Sequence, residues 1–484
     1  MPVLMPALLL LLLLALLVGS WFVRTYFGQV SASQLLTHLQ HGGLDQAESR
    51  MIARAWRWGL GTLLLGLLCW LALRRLPRLA RRALWLLLGA GAAVSVGATV
   101  REDCAGAAGL PDFVAQHYVD PGRQRVESLP GAMRPDVLLV FVESLDAAYA
   151  QPADPSQPLI PRLAQWSRER QGGELTNLRS VNFTMAGLFG VLCGLPLQPV
   201  GLMSLHSFEH AERFFAGGRC LTDLMAEQGW QISFFGGASL RFAGKGKFFA
   251  THGVARRFGR EEWAARGLPM PEQGWGLLDG ALGAQVWQDM QSQPARADAA
   301  PRMDIVLTVD THGPAGMEDS DCAPLQDPSP GDAALMRLSL RCSDRVVHQL
   351  VQRFLSRADG RPKLVWVMGD HVAPVQLLGD ELAPAARGRP AVFHAALLQD
   401  AQGRQHRLLP ESARSFSHFD VMPTLAEAVG LSWQPQAHRL GLGVSLLARE
   451  QPPTLLESQG RAELDARLSC PSPLFQRLWL AASS

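Results

Sequence analysis

Three groups of acid and imidazole residues stand where apolar runs end in this 484-residue chain: Glu143-Ser144 after DVLLVFV (136–142), Asp310-Thr311-His312 after DIVLTV (304–309), and Gly369-Asp370-His371 after KLVWVM (363–368). A hard or borderline divalent cation takes carboxylate oxygen together with imidazole nitrogen, so Glu143 and the Asp370-His371 pair supply three ligands and leave room for a fourth. Any one acid after a strand is equally well explained as a helix cap. All three arriving together are harder to explain that way. A further candidate lies in SVNFTMAGLFGVLCGLPL (180–197), where Thr184 opens an apolar segment of helical character that ends in CGLP. Unpaired N–H groups and the dipole at a helix N-terminus favour an anionic oxygen or a phosphate, and a bound cation lowers the pKa of a hydroxyl further. Thr184 is therefore a nucleophile or a helix cap, and this segment taken alone fits both.

Chemistry at these positions requires that the run ends converge. The runs, with QISFFG (231–236), are short, continuous and rich in Val, Ile and Phe, as expected of strands buried on both faces. Stretches between them, such as 220–229 and 335–357, show helical spacing. The alternation predicts an α/β class with a mainly parallel sheet in a three-layer α/β/α sandwich. In open parallel sheets ligands gather beyond the carboxyl ends of the strands, which is where the acid and imidazole residues stand. No internal repeat is present. The acidic, Pro-containing stretch 315–332 reads as a long loop.

The first hundred residues differ from the rest by three apolar runs, 3–23, 58–73 and 83–100, which read as a membrane anchor of three transmembrane helices. No Lys or Arg precedes the first run, which argues against a cleaved signal peptide. Between the second and third runs RRLPRLARR places Arg74, Arg75, Arg78, Arg81 and Arg82 in a very short loop. The positive-inside rule puts that loop in the cytoplasm and everything after residue 100 outside it. Six of the seven cysteines, Cys104, Cys193, Cys220, Cys322, Cys342 and Cys470, lie in that outer part and suit an oxidising compartment. Cys193 with Cys220 and Cys322 with Cys342 are the nearest neighbours in sequence, and Cys104 with Cys470 would tie the ends together. Residues 101–134 read as a linker, 135–450 as the functional domain and 451–484 as a tail packed on it. A net charge of +2, from 45 basic and 43 acidic residues, provides no broad electropositive surface for nucleic acid.

In order along the chain, Glu143-Ser144, TMAG (184–187) with CGLP (193–196), TVDTHGP (308–314) and GDH (369–371) resemble the alkaline-phosphatase-like phosphoglycerol transferases. SLRFAGKGKFFATHG (239–253), WGLLD (275–279) and SLRCS (339–343) look like the bacterial enzymes that act on osmoregulated periplasmic glucans; lipoteichoic acid synthases are more distantly similar. The resemblance covers roughly residues 135–430. It implies an alkaline-phosphatase-like fold, with Glu143, Thr184, Asp370 and His371 as ligands of one divalent cation, Mn2+ first and Mg2+ or Zn2+ otherwise. Thr184 would also be the nucleophile, and His312 would lie in the substrate pocket. Arg241 and Lys245 become candidates for the phosphate, with His252 and Trp275 behind them. In the lipoteichoic acid synthases the corresponding places carry His, Trp and Arg, where this chain has Gly236, Ala243 and Lys245. His418, in SHFDVMPT, reads as structural. The activity implied is transfer of phosphoglycerol from phosphatidylglycerol to a periplasmic glycan by an enzyme of the bacterial inner membrane, its catalytic domain facing the periplasm. The competing readings are a phosphoethanolamine transferase, a sulfatase, a phosphodiesterase and a non-catalytic glycan- or lipid-binding relative. A sulfatase fits least, since TMAGL stands where its modified-nucleophile motif would be.

Overall fold

The structure, a computed structural model, describes residues 4–27, 49–99, 111–170, 172–198, 213–271, 274–293, 299–313, 315–319, 322, 331–411, 414–436 and 438–480. The chain divides into two compact units, 1–103 and 104–484. In the first are helices α1 (Leu4–Phe27), α2 (Ser49–Arg75) and α3 (Arg78–Thr99). Each contains a stretch long and apolar enough to cross a membrane: Pro6–Val23, Trp56–Arg75 and Arg78–Gly97. The basic stretch expected as a loop is reduced to a break at Leu76-Pro77. Arg78, Arg81 and Arg82 lie in the first turns of α3 because proline interrupts one helix and is preorganised to begin the next.

The second unit is built on a seven-stranded sheet. Its strands are β1 (Asp136–Val142), β2 (Gln231–Gly236), β3 (Arg256–Phe258), β4 (Arg302–Leu307), β5 (Lys363–Gly369), β6 (His394–Gln399) and β7 (Gln405–Arg407). The spatial order is β7-β6-β5-β1-β4-β2-β3. From β5 across to β3 every pairing is parallel, and β6 and β7 add an antiparallel edge. The sheet is thus mainly parallel, as the apolar runs imply. Alternation along β1 sends Val137, Leu139 and Phe141 into one core and Leu138, Val140 and Val142 into the other. Each such fully buried side chain contributes roughly 1.5–3 kcal/mol.

Helices α4 (Pro161–Arg170), α5 (Thr184–Cys193), α6 (Leu221–Glu227), α7 (Lys245–Thr251), α8 (Asp279–Ser292), α9 (Asp332–Leu355) and α10 (His418–Ala428) complete the layers. Helices α5, α6, α7 and α10 cover the first face, and α4, α8 and α9 the second.

The stretch expected as a linker is folded in its described part. Phe113–His117 is a helix whose Phe113 and Val114 are buried, and Arg125–Ser128 pairs antiparallel with Leu431–Gln434. Segments this short carry too little periodicity to announce themselves, and their partners lie hundreds of residues away. In the tail, Pro473–Leu480 is a helix that buries Phe475 and Trp479 against Phe189, Phe214 and Phe215. Disulfides join Cys193 to Cys220 and Cys322 to Cys342, as their spacing suggests. Cys104, the expected partner of Cys470, lies outside the described residues.

Candidate active site

Adjacent parallel strands β1 and β5 run in register, Val142 opposite Gly369, so Glu143 and Asp370 emerge side by side from the sheet. Ser144 fastens them together. Its N–H donates to Asp370 Oδ1 at 2.8 Å, and its hydroxyl donates to Glu143 Oε1 at 2.7 Å. Ser144 adopts a left-handed φ of 53°, a strained conformation for a side chain-bearing residue that the two bonds help hold. Strand β4 ends two residues before the expected place, leaving Thr308 outside the ladder, where its hydroxyl oxygen accepts the Glu143 N–H at 3.0 Å. Thr311 donates its hydroxyl to the Glu143 carbonyl.

Helix α5 brings Thr184 to the same point. Phe183, not Thr184, occupies the cap position, and the Thr184 hydroxyl donates instead to Glu143 Oε2 at 3.1 Å. The capping alternative left open by the sequence is thereby removed. The approach depends on Gly187, where a Cβ would stand 2.1 Å from the Asp370 carbonyl oxygen. His418, at the start of α10, holds that carbonyl from another direction through Nε2 at 2.8 Å. Burial pushes the His418 imidazole down to about 4, against the opposing hydrogen bond to Asp370. It is therefore neutral and acts as a brace.

His371 donates from Nδ1 to the Val372 carbonyl at 2.8 Å, which turns Nε2 toward Glu143 Oε1 and Asp370 Oδ2, each at 3.5 Å. Ligand atoms of Glu143, Asp370 and His371 all lie within 4.8 Å of one another. Asp370 Oδ2 is buried without a hydrogen-bond partner, an orphan that a cation would satisfy. Burial, then the Glu143 charge, raises the Asp370 carboxyl to about 7. Burial alone would lower His371, but Asp370 and Glu143 outweigh it and raise the imidazole to about 9. Burial would likewise raise Glu143, yet the field of His312, the hydrogen bond and charge of His371, and the hydrogen bond from Ser144 hold it well below the usual carboxylate range. The protonatable set fits a divalent cation, with two carboxylates, an imidazole and the Thr184 hydroxyl as donors.

Two other three-residue groupings have comparable spacing, Cys220-Asp223-His252 and Asp319-Cys322-Cys342. Their cysteines are consumed in disulfides. Among the described residues the Glu143 group alone offers all its ligand atoms.

The sulfatase family model matches residues 135–431. The chain belongs to the sulfatase family. Within this sulfatase-family chain, 340 residues are 31% identical to phosphoglycerol transferase I of Xanthomonas campestris pv. campestris (strain B100), covering 68% of this chain and 45% of that protein. Phosphoglycerol transferase I of Salmonella newport (strain SL254) is 27% identical over 270 residues, covering 55% of this chain and 34% of the relative. The chain thus spans less than half the length of these curated relatives. Among solved structures, a lipoteichoic acid synthase from Listeria monocytogenes superposes with a TM-score of 0.50 at 14% identity, over 65% of this chain and 76% of its own. It supports the alkaline-phosphatase-like α/β fold of the sulfatase-family unit.

The residues expected at the substrate separate into two groups. Trp275 and His312 stack with ring centroids 4.1 Å apart, Phe242 meets Trp275 edge-on at 5.7 Å, and Lys245 Nζ lies 5.1 Å from the Phe242 centroid. His312 acts electrostatically on Glu143, and Lys245 feels Glu143 and Asp370, so both ends of this arc reach the cluster's field. Lys245 is 3% exposed, and burial brings its ammonium down to about 8 despite those carboxylates and Glu261. His252 is elsewhere. Its Nδ1 meets Asp223 Oδ2 at 2.7 Å and its Nε2 meets the Phe214 carbonyl at 3.0 Å, so both ring nitrogens are spent inside the protein. The same Asp223 carboxylate accepts the Cys220 N–H at the start of α6, which makes His252 a brace for that helix and corrects the substrate role. Arg241 is exposed. Sequence reasoning assigned no role to Ser144 or Thr308, which its motifs contain, and passed over Asn177, which accepts the Val372 N–H at 3.3 Å. Ser144 had a signal, its place directly after Glu143.

Proposed function

We propose that this protein transfers phosphoglycerol from phosphatidylglycerol to a periplasmic glycan, of the osmoregulated glucan kind, through a phosphothreonine-type intermediate on Thr184. The observation that carries this reading is the Thr184 hydroxyl, buried in the cluster and directed at Glu143 instead of capping its own helix. The names of the curated relatives support the head group, and the three apolar helices support the lipid donor.

In the first half-reaction a bond forms from Thr184 Oγ to the donor phosphorus as the bond to the diacylglycerol oxygen breaks. The hydroxyl proton passes along the hydrogen bond to Glu143, and His312 protonates the departing oxygen. In the second, a glycan hydroxyl gives its proton to His312 and attacks the phosphorus, and Thr184 leaves with the proton from Glu143. Glu143, Thr184, Asp370 and His371 would hold one divalent cation, Mn2+ by preference and Mg2+ or Zn2+ otherwise, which when bound would supply positive charge for the phosphoryl oxygens and lower the hydroxyl pKa. Lys245, buried and bearing no ion pair among the described residues, binds the phosphate, with Trp275 and Phe242 walling the head group and Arg241 contributing from the surface. In this reading α1, α2 and α3 span the bacterial inner membrane, the arginines at the α2–α3 break lie in the cytoplasm, and the larger unit faces the periplasm.

Full-length protein in phosphatidylglycerol nanodiscs with Mn2+, digested and analysed by mass spectrometry, tests this. A phosphoglycerol adduct is expected on the Thr184 peptide and absent from Thr184→Ala. An adduct from phosphatidylethanolamine instead would transfer the assignment to phosphoethanolamine, and an adduct from neither lipid would favour a non-catalytic binding protein.

A further inference from the structure

Within the smaller unit, α1 and α2 lie antiparallel, and their spacing changes along their length. At one end they are tight, for a Cβ on Gly66 would stand 2.6 Å from Leu11 Cδ2. Toward the other end they part, and a Cβ on Gly19 or Gly59 would meet nothing within 4 Å. The gap is a cleft of about 500 Å³, walled by Leu11, Ala15 and Gly19 of α1 and by Gly59, Leu60 and Leu63 of α2. Aromatic rings close its wide end. Trp21 stacks on Trp58 with centroids 3.8 Å apart, and Phe22 meets Trp58 edge-on at 5.6 Å. Leu60 and Leu63 are exposed, so the cleft opens sideways. From Leu11 to Phe22 it runs roughly 16 Å along α1, about half the thickness of a bilayer's hydrocarbon.

We propose that this cleft holds one acyl chain of an anionic glycerophospholipid from the periplasmic leaflet. The occupant follows from shape, depth and charge. A volume of about 500 Å³ spread over roughly 16 Å leaves a channel about 6 Å across. Another helix, about 10 Å in diameter, is too wide for it, whereas a hydrocarbon chain, whose carbons pack about 4 Å from their neighbours, fits. Trp21 near the end of α1 and Trp56 and Trp58 near the start of α2 gather at one end, as tryptophans do at a membrane–water interface. Arg57 is exposed between the last two, at the depth of a lipid phosphate, and its charge complements an anionic head group. The arginines at the α2–α3 break mark the opposite end, which places the cleft in the periplasmic leaflet. That leaflet rests on the topology of the proposed function, while occupancy of the cleft does not depend on the chemistry at Thr184. An anchor with such a cleft retains a lipid of the donor's class as well as tethering the chain.

The test is photocrosslinking of full-length protein in nanodiscs doped with a phosphatidylglycerol whose acyl chain carries a diazirine, with adducts located by mass spectrometry. Labelling in 15–22 and 56–63 is expected to exceed by about tenfold that at Leu86 and Leu87, exposed on α3, which report bulk lipid. Gly59→Leu and Gly19→Leu each fill the cleft from a position with open space, and each should cut its labelling about tenfold while leaving that at Leu86 and Leu87 unchanged. Arg57→Gln should lower labelling by the phosphatidylglycerol and leave labelling by a diazirine-bearing diacylglycerol as it was. Thr184→Ala should be labelled as the parent is, so this inference and the transferase reading can fail separately. Labelling no stronger than at Leu86 and Leu87, indifference to both glycine variants, loss of labelling in Thr184→Ala, stronger labelling by the diacylglycerol than by the phosphatidylglycerol, or crosslinks from the cleft to a second copy of the chain would each overturn the inference.

Discussion

Lys245, buried within the field of the cluster, departs from the ordinary range of an ammonium group. Burial brings its ammonium down to about 8, so the cationic form is complete at pH 6 and is lost as pH rises through 8. If that charge holds the donor phosphate, KM for the lipid rises on the alkaline side while kcat changes little. Lys245→Arg keeps the charge at every accessible pH and should flatten that limb. Lys245→Met should raise KM by roughly 10- to 100-fold, the worth of one charge-assisted hydrogen bond of about 1.5–3 kcal/mol. Initial rates against lipid concentration from pH 6 to 9.5 check this. A KM for the parent that is level across the range would remove Lys245 from the phosphate site.

At the scale of elements, the site is a crossing of α5 with the ends of β1 and β5, and Gly187 sets how closely they cross. Gly187→Ala would drive a methyl into the Asp370 backbone, which cannot turn aside as a side chain can. The expected cost is about 1–3 kcal/mol of stability, together with loss of the Thr184 adduct. Gly190→Ala on the same helix meets only side-chain atoms, of Val181 at 3.0 Å and His418 at 3.2 Å, and should be milder. Thermal unfolding of the two variants side by side is the measurement; equal destabilisation would contradict the argument.

The same crossing shows what the sequence makes legible. Strands β1, β2 and β5 are continuous apolar runs because both faces of the sheet are covered, so they stand out without any structure. The acids after β1 and β5 are therefore placed correctly at one edge. Strand β6, HAALLQ, hides because alanine and histidine give no β-rich signature. The left-handed φ of Ser144 and the engagement of His252 by Asp223 depend on partners brought up by tertiary packing, which no local pattern encodes.

At the scale of the whole molecule, the three apolar helices and the enzyme-like unit belong to one chain, which has a kinetic consequence if the donor is a lipid. A donor confined to the bilayer and an enzyme tethered to it meet at an effective concentration set by the tether, and such linkage gains on the order of 10²- to 10⁴-fold over free encounter. Residues 111–484 without the helices should therefore turn over phosphatidylglycerol in vesicles at least 100-fold more slowly than the full chain. On a short-chain, water-soluble phosphatidylglycerol the two should be nearly equal, because that donor gains nothing from the tether. Phosphate release or head-group transfer measured on both donors distinguishes the cases. A truncated protein slow on both donors would mean that the helices contribute to the fold of the larger unit. One fast on both would mean that membrane attachment serves some purpose other than delivery of the donor.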